Sequence, residues 1–349
     1  MSSSIKKRDY LFDNYKVLLI FLVVLGHFTD LCAKNNAFLY TLKWLISAFH
    51  MPAFIFVSGY FSKKDTPVSK LIEKLLIPYI VYECLYYLLY VYVLNKPTGL
   101  YLLYPKFSLW YILALFVWRL ITPYVKTVPH HMILAIAAGL LIGCSGMKDN
   151  FLSIPRILVF YPYFLAGIHF DRETLSRHRA NVKCRLYAVM GILGFIAFLI
   201  FDPLHKMGSV KAFYGRYNYA FLNLTPLQGI AIRILVYLAG FGLTYAAALL
   251  MTEKELKISY LGIRTMPIYL FHGLLYSTIK FGTNILPNIN TAFETLLLIS
   301  FCILITFVFA MEPFYKFTNA VAGVKIHIPH GTPSYRYCYT MPSCVNYGI

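Results

Sequence analysis

Long apolar runs are the feature that most limits what this chain can fold into. Ten of them follow one another, each bounded by polar residues, at about 16–33, 40–61, 75–94, 108–125, 131–145, 154–170, 186–201, 227–250, 265–286 and 291–312. Such runs are typical of transmembrane helices, since lipid admits only structures that satisfy their own backbone. Of all residues, 59% are hydrophobic and 13% charged. The sequence therefore predicts an all-α integral membrane protein, with about ten transmembrane helices in one bundle.

Basic residues are unevenly divided between the loops that connect these runs. With the N-terminus inside, 21 Lys and Arg fall in cytoplasmic segments and 9 fall in outer segments. Cytoplasmic loops of membrane proteins carry such an excess, so both termini are predicted to be cytoplasmic. The net charge of +18 is therefore interpreted as a topology signal, and no nucleic-acid partner is expected.

The end of the chain differs in composition from the rest. Residues 1–316 are predicted to form a polytopic membrane domain, and residues 317–349, which lack an apolar period, a loosely ordered cytoplasmic tail. Segment 202–227 is the longest outer loop and is expected to cap or gate an outward cavity. The first apolar run lacks a small-residue cleavage site, so it is interpreted as an uncleaved anchor. The seven cysteines show no zinc-binding spacing, and no metal site is predicted.

One histidine lies where lipid makes it costly. His27 follows Lys16 by eleven positions, which places both side chains on nearly the same helix face, about 16 Å apart along the axis. If Lys16 marks the cytoplasmic edge, His27 lies near the middle of a hydrocarbon core about 30 Å thick. An ionisable group at that depth indicates a functional site. Asp30, one turn later, is a candidate partner for the ring. The alternative is a structural histidine satisfied by a neighbouring helix.

Further polar residues interrupt the other apolar runs. His50 precedes Pro52, which is expected to break its helix midway. Tyr269 and His272 share one face of the ninth run with Thr265. Glu83 is a possible buried partner of Arg233. Arg119, taken alone, fits a snorkelling anchor, and Arg156 fits either an anion-binding group or an anchor at the interface.

This inventory suits two functions. A histidine can take a proton from a hydroxyl near neutral pH, and arginines can bind phosphates, so the residues fit transfer from a phosphorylated cytosolic donor to a hydroxyl acceptor. The same groups fit a polytopic transporter or flippase for a glycan or related small molecule. Against the transporter, the chain shows no inverted repeat and no paired broken helices. The residues alone leave both open.

Six sequence blocks, in order, resemble membrane acyltransferase family 3, in the branch grouped with fucose 4-O-acetylases. The resemblance spans about residues 8–312. The blocks are FDNYKVLLIFLVVLGH, FHMPAFIFVSGYFSKK, LIPYIVYE, LWYILALFVWR, RILVFYPYFLAG and LGIRTMPIYLFH. The family motif of a basic residue, a ten-residue gap and a histidine matches Lys16 and His27.

The resemblance implies an O-acyltransferase, in most cases an O-acetyltransferase, of a bacterial plasma (inner) membrane. Its donor substrate would be acyl-CoA, usually acetyl-CoA, with no permanently bound cofactor, and its acceptor a sugar of a surface polysaccharide or glycolipid. His27 would be the general base, and Asp30 would orient it. Arg119 and Arg156 would contact donor or acceptor and are assigned with Lys16 to donor binding. The predicted pocket residues are His50, Tyr269 and His272. Direct transfer is expected, since no Ser or Cys lies in a nucleophile motif.

Overall fold

A computed structural model describes residues 8–32, 36–147, 151–201 and 209–325. These residues form helices and connecting segments, with no strand among them. The helices, in chain order, are α1 Tyr10–Cys32, α2 Ala37–Tyr60, α3 Val68–Val93, α4 Trp110–Val125, α5 His131–Leu141, α6 Ile154–His169, α7 Arg172–Ala180, α8 Val182–Phe201, α9 Pro226–Leu250, α10 Thr265–Gly282, α11 Ala292–Phe309 and α12 Glu312–Ala322. The predicted all-α class is confirmed.

Within the described ranges, seven helices are long and apolar enough to cross a membrane. They are α1, α2, α3, α6 with the turn before it, α8, α9 and α11. The other three predicted spans coincide with α4, α5 and α10, of which α4 and α5 have only 16 and 11 residues. The chain is therefore a multi-pass membrane protein. The count of ten and the orientation of the termini stay predictions.

Helix α1 is the centre of the bundle. It packs against α2, α10 and α11, and at its start against the short turn Ser259–Ile263. The hydroxyl of Tyr15 donates to the carbonyl of Thr244 in α9 at 3.0 Å. In its most apolar window 56% of α1 is buried inside the protein, whereas for α8 the value is 11%. Because α8 is apolar yet uncovered by protein, it faces lipid.

Helices α2 and α6 cross with their backbones in contact. A Cβ on Gly59 would overlap the carbonyl oxygen of Phe164, and a Cβ on Gly167 would overlap the carbonyl oxygen of Phe56. Two glycines that face each other at a crossing allow this approach, as small residues do between membrane helices. The crossing holds α2, and with it His50, against α6.

Two local predictions are wrong. Helix α2 continues through Pro52, because neighbouring helices can satisfy backbone groups that a proline frees in a membrane. Glu83 does not pair with Arg233: it lies fully buried against Lys106, with 3.4 Å between Oε2 and Nζ. Arg233 instead donates to the carbonyls of Gly139 and Tyr217, at 3.2 and 3.3 Å.

The predicted tail and the predicted cap are partly described. Helix α12 extends to Ala322, into the range assigned to the tail, and residues 326–349 lie outside the described residues. In the loop predicted to cap an outward cavity, described from residue 209, the turn Val210–Tyr214 packs against α2 and α9. Residues 202–208 of that loop lie outside the description.

Candidate active site

A cavity of about 570 Å³ lies at the end of the bundle where α1 ends. Its wall combines α1, α2, α3, α4, α6 and α10 with two loops, 94–109 and 209–225. Aromatic rings and basic groups make up much of this wall. Its lining includes His27, Asp30, His50, Tyr90, Tyr101, Tyr104, Lys106, Phe107, Trp110, Arg156, Phe160, Phe213, Tyr214, Arg216, Tyr217, Tyr269, Tyr276 and Lys280. Residues from distant parts of the sequence thus converge on one chamber.

His27 lies on the cavity wall among other rings. Its ring centroid is 4.5 Å from that of Phe107, 5.3 Å from that of His272 and 6.1 Å from that of Tyr276. No hydrogen bond from a described residue holds either ring nitrogen of His27. This histidine is therefore placed to exchange a proton with a guest in the cavity.

The two other predicted histidines are each fixed by their own helix. Nδ1 of His50 lies 2.5 Å from the carbonyl oxygen of Ile46, and Nδ1 of His272 lies 3.0 Å from that of Ile268. A carbonyl only accepts, so in each neutral ring Nδ1 carries the proton and Nε2 has a free lone pair. The Nε2 atom of His272 is buried without a hydrogen-bond partner. His272 thus presents an unused acceptor beside His27.

Asp30 lines the cavity but is bound to other groups. Its Oδ1 atom lies 2.5 Å from Nζ of Lys43 and accepts a hydrogen bond from the hydroxyl of Tyr214 at 3.2 Å. No hydrogen bond joins it to His27 in the described part of the chain. Burial, and then the nearby Asp30 carboxylate, raise the pKa of Tyr214, so this phenol stays a donor. Asp30 therefore ties the 209–225 loop to α1 and α2.

The three predicted donor-binding residues separate into two places. Arg156 lines the cavity, with its guanidinium 4.8 Å above the ring of Trp110. Lys16 lies toward the start of α1, paired with Asp13 at 2.9 Å and 4.8 Å above the ring of Phe61. Arg119 donates to Thr66 at 2.8 Å. Lys16 and Arg119 do not line the cavity.

A series of polar rings connects His272 with the other half of the bundle. The ring of His272 lies 5.8 Å from that of Tyr269, which lies 5.4 Å from the ring of Tyr111. The hydroxyls of Tyr111 and Ser58 lie 2.5 Å apart. Because Ser58 is near the end of α2 that faces Lys16, this series runs from the cavity toward the cationic residues outside it.

The loop 94–109 presses Phe107 onto His27. The backbone N–H of Lys106 donates to Oε1 of Glu83 at 2.6 Å, and the carbonyl of Ser108 accepts from the hydroxyl of Tyr269. Phe107 between them has φ 48°, a left-handed conformation that is costly for a bulky residue. Its ring also stacks on that of Tyr276 at 4.9 Å. Two hydrogen bonds, one on each side of it, therefore hold a strained residue against the histidine.

Sequence reasoning missed Phe107, Tyr276 and Lys280. Tyr276 follows His272 by four positions and Lys280 follows by eight, so the helical period could have placed both on the same face. Phe107 lies in a connecting segment without periodicity, and only the folded loop brings it to His27.

Comparison with family models identifies the family of the chain. No curated protein and no solved structure matches the chain. A family model described as an acyltransferase domain, that of acyltransferase family 3, matches residues 9–311. The match includes every helix that contributes to the cavity. This multi-pass membrane protein, with its histidine-lined chamber, therefore belongs to acyltransferase family 3.

Proposed function

We propose that the chain is an O-acyltransferase that moves an acyl group, most simply acetyl, from acyl-CoA to a sugar hydroxyl. The acceptor would be part of a surface polysaccharide or a lipid-linked glycan at the plasma membrane. The observation that carries the proposal is His27, without a hydrogen bond from a described residue, on the wall of an aromatic cavity large enough for a sugar. Flat ring faces offer apolar contact to a sugar, while the histidine addresses its hydroxyl.

The transfer needs one base and no covalent enzyme intermediate. His27 takes the proton of the sugar hydroxyl as the oxygen attacks the thioester carbonyl carbon. The new C–O bond forms, the C–S bond breaks, and the CoA sulfur leaves with a proton, which the imidazolium can return. His272, in contact with His27, has its Nε2 lone pair available to stabilise the charged ring.

Donor and acceptor are best accommodated from opposite ends of α1. Lys16 lies about 16 Å from His27 along the helix axis, on the side away from the cavity, and Arg119 also lies outside the cavity. In this arrangement cationic groups at that end hold the phosphates of acyl-CoA, its flexible arm follows the polar ring series, and the sugar enters through the cavity.

The test is release of CoA from acetyl-CoA by purified protein, with and without a mixed glycan extract. His27→Ala should abolish acceptor-dependent release, since loss of a general base costs about 10²–10⁴-fold. The matched control is His131→Ala, because His131 is a partly exposed histidine paired with His169 outside the cavity. It should retain wild-type release, and both variants should unfold at the wild-type temperature.

Two outcomes contradict the proposal in different ways. Full release by His27→Ala would contradict the assignment of His27 as the general base, but it would not contradict the proposed acyltransferase activity. Absence of release by well-folded wild type with every extract, together with uptake or flipping of a glycan, would favour the transporter function instead.

A further inference from the structure

The charges around the cavity do not balance. Asp30 on the cavity wall pairs with Lys43, and the wall cation Lys106 pairs with the buried Glu83. Among the lining residues that the structure describes, Asp30 is the sole carboxylate, and the lining also includes the basic residues Arg156 and Lys280. The chamber therefore carries a positive excess that a neutral guest would leave uncompensated.

Arg156 is the clearest part of this excess. It makes no ion pair and no hydrogen bond with any described residue, and its Nε atom is buried without a partner. Its contact is the face of Trp110, a residue 7% exposed. A guanidinium that is partly removed from water without a carboxylate is costly to keep. Its rigid fork of donors suits a carboxylate or a phosphate.

Lys280 supplies a second uncompensated cation. Its ammonium lies 5.7 Å from the ring centre of Tyr276 and 5.2 Å from that of Phe281, and it makes no ion pair with a described residue. Tyr276 is also in ring contact with His27. The cation and the base therefore share one neighbouring ring, and a single guest in the cavity can reach both.

We propose that the acceptor sugar carries an anionic group, a carboxylate or a phosphate, which Arg156 binds while a hydroxyl of the same molecule faces His27. Lys280 adds to the attraction. The inference rests on the proposed acyl transfer. It assigns Arg156 to binding of the acceptor, whereas the sequence analysis assigned it to binding of the donor. The reason is position: Lys16 and Arg119 lie outside the chamber, whereas Arg156 lies inside it with the base.

The first experiment measures acceptor binding without donor. Methyl glycosides of glucose and galactose are titrated by saturation-transfer NMR as neutral sugars, as 6-uronates and as 6-phosphates. The anionic members should bind wild-type protein about tenfold or more tightly than their neutral partners, as expected for a charge-assisted pair. Arg156→Gln should abolish the preference. No preference in any pair overturns the inference.

Two further variants keep the result interpretable. Lys280→Gln should reduce the preference for anionic sugars by less than Arg156→Gln does. If Arg156→Gln folds poorly, Lys280→Gln provides the test in its place. The matched control is Lys211→Gln, since Lys211 is an exposed cation over the rings of Tyr217 and Phe221 and does not line the cavity. It should leave the preference intact. Equal losses in all three variants would indicate a diffuse surface charge and contradict an Arg156 site.

The second experiment separates this inference from the proposed function. In the CoA-release assay, Arg156→Gln should raise the KM for an anionic acceptor about tenfold and leave the KM for acetyl-CoA unchanged. A raised KM for acetyl-CoA with unchanged acceptor binding would return Arg156 to the donor and overturn the inference. A binding preference without CoA release from any acceptor would contradict the transferase and support the anion site. Uronates and phosphates, compared in both assays, identify which anion is recognised.

Discussion

At the residue scale, the chamber depends on partners that the sequence does not reveal. Helical spacing identifies which side chains share one face, so His27, His50, Tyr269 and His272 could be predicted as polar groups of one interior. Spacing says nothing about the group opposite, on another helix. Asp30 therefore seemed close enough to serve His27, whereas the fold gives it Lys43 and Tyr214.

Asp30→Asn should therefore act through the loop and not through the base. We expect the variant to raise the KM for the acceptor while the pH profile of kcat keeps its wild-type shape. Lys43→Gln should have the same effect, and the double variant should be no worse than either, since residues of one pair are not additive. The measurement is kcat and KM against pH for the four proteins. If the pH profile of kcat shifts in Asp30→Asn but not in Lys43→Gln, Asp30 acts on His27 directly, and this prediction is contradicted.

The same limit explains the other differences at this scale. Phe107 reaches His27 because Glu83 and Tyr269 hold the residues on either side of it. The contacts of Phe107 with His27, of Lys106 with Glu83 and of Ser108 with Tyr269 each join segments far apart in the sequence. No local sequence pattern encodes them. Glu83 and Arg233 were predicted as partners because both are charges within apolar runs, but carbonyl oxygens satisfied the arginine instead.

At the element scale, the α2–α6 crossing sets the position of a whole cavity wall. Helix α2 contributes His50 and helix α6 contributes Arg156. A small residue such as Gly59 permits close helix approach, and the structure places Gly167 on the facing helix of the same crossing. The partner helix could not be predicted, because a small residue shows that a neighbour is near but not which one.

Gly59→Ala and Gly167→Ala should each destabilise the protein. Either methyl group would overlap backbone of the facing helix, and overpacking of this kind costs about 1–3 kcal/mol. Gly191→Ala is the matched control, since its Cβ would meet nothing within 4 Å on lipid-facing α8. It should be neutral or slightly stabilising, because Ala is the better helix former.

Thermal unfolding in detergent, followed by loss of helical signal, measures these changes. Apparent midpoints should fall for the two crossing variants and not for the control. If all three variants lose stability alike, glycine would be required for helix flexibility in general, and the crossing would carry no special weight.

At the scale of the whole molecule, α1 divides the protein into two ends with different chemistry. The cavity opens where α1 ends, and Lys16 and Arg119 lie toward its start. The 21-to-9 distribution of Lys and Arg predicts that the start of α1 is cytoplasmic. The fold class could be predicted from the apolar runs. The cavity could not, because part of its wall comes from loops whose sequences have no apolar period.

Accessible cysteines test this orientation in a background without the seven native ones. Leu103→Cys lies in the cavity loop and Leu256→Cys in the segment after α9 at the other end, at positions whose leucines are 51% and 40% exposed. A membrane-impermeant maleimide added to intact cells should label the first and reach the second only after lysis. The reverse labelling pattern would show that the cavity faces the cytoplasm and would contradict the predicted orientation.

The strained position of Phe107 has a consequence for how much of the proposed donor would be lost to hydrolysis. In the proposed transfer, water competes with the sugar as acceptor, and a base open to bulk solvent would promote hydrolysis of the thioester. The rings of Phe107, Tyr276 and His272 surround His27, so few directions remain from which a water molecule can be activated. In the proposed reaction, holding Phe107 against His27 would favour transfer to the sugar over hydrolysis of the donor.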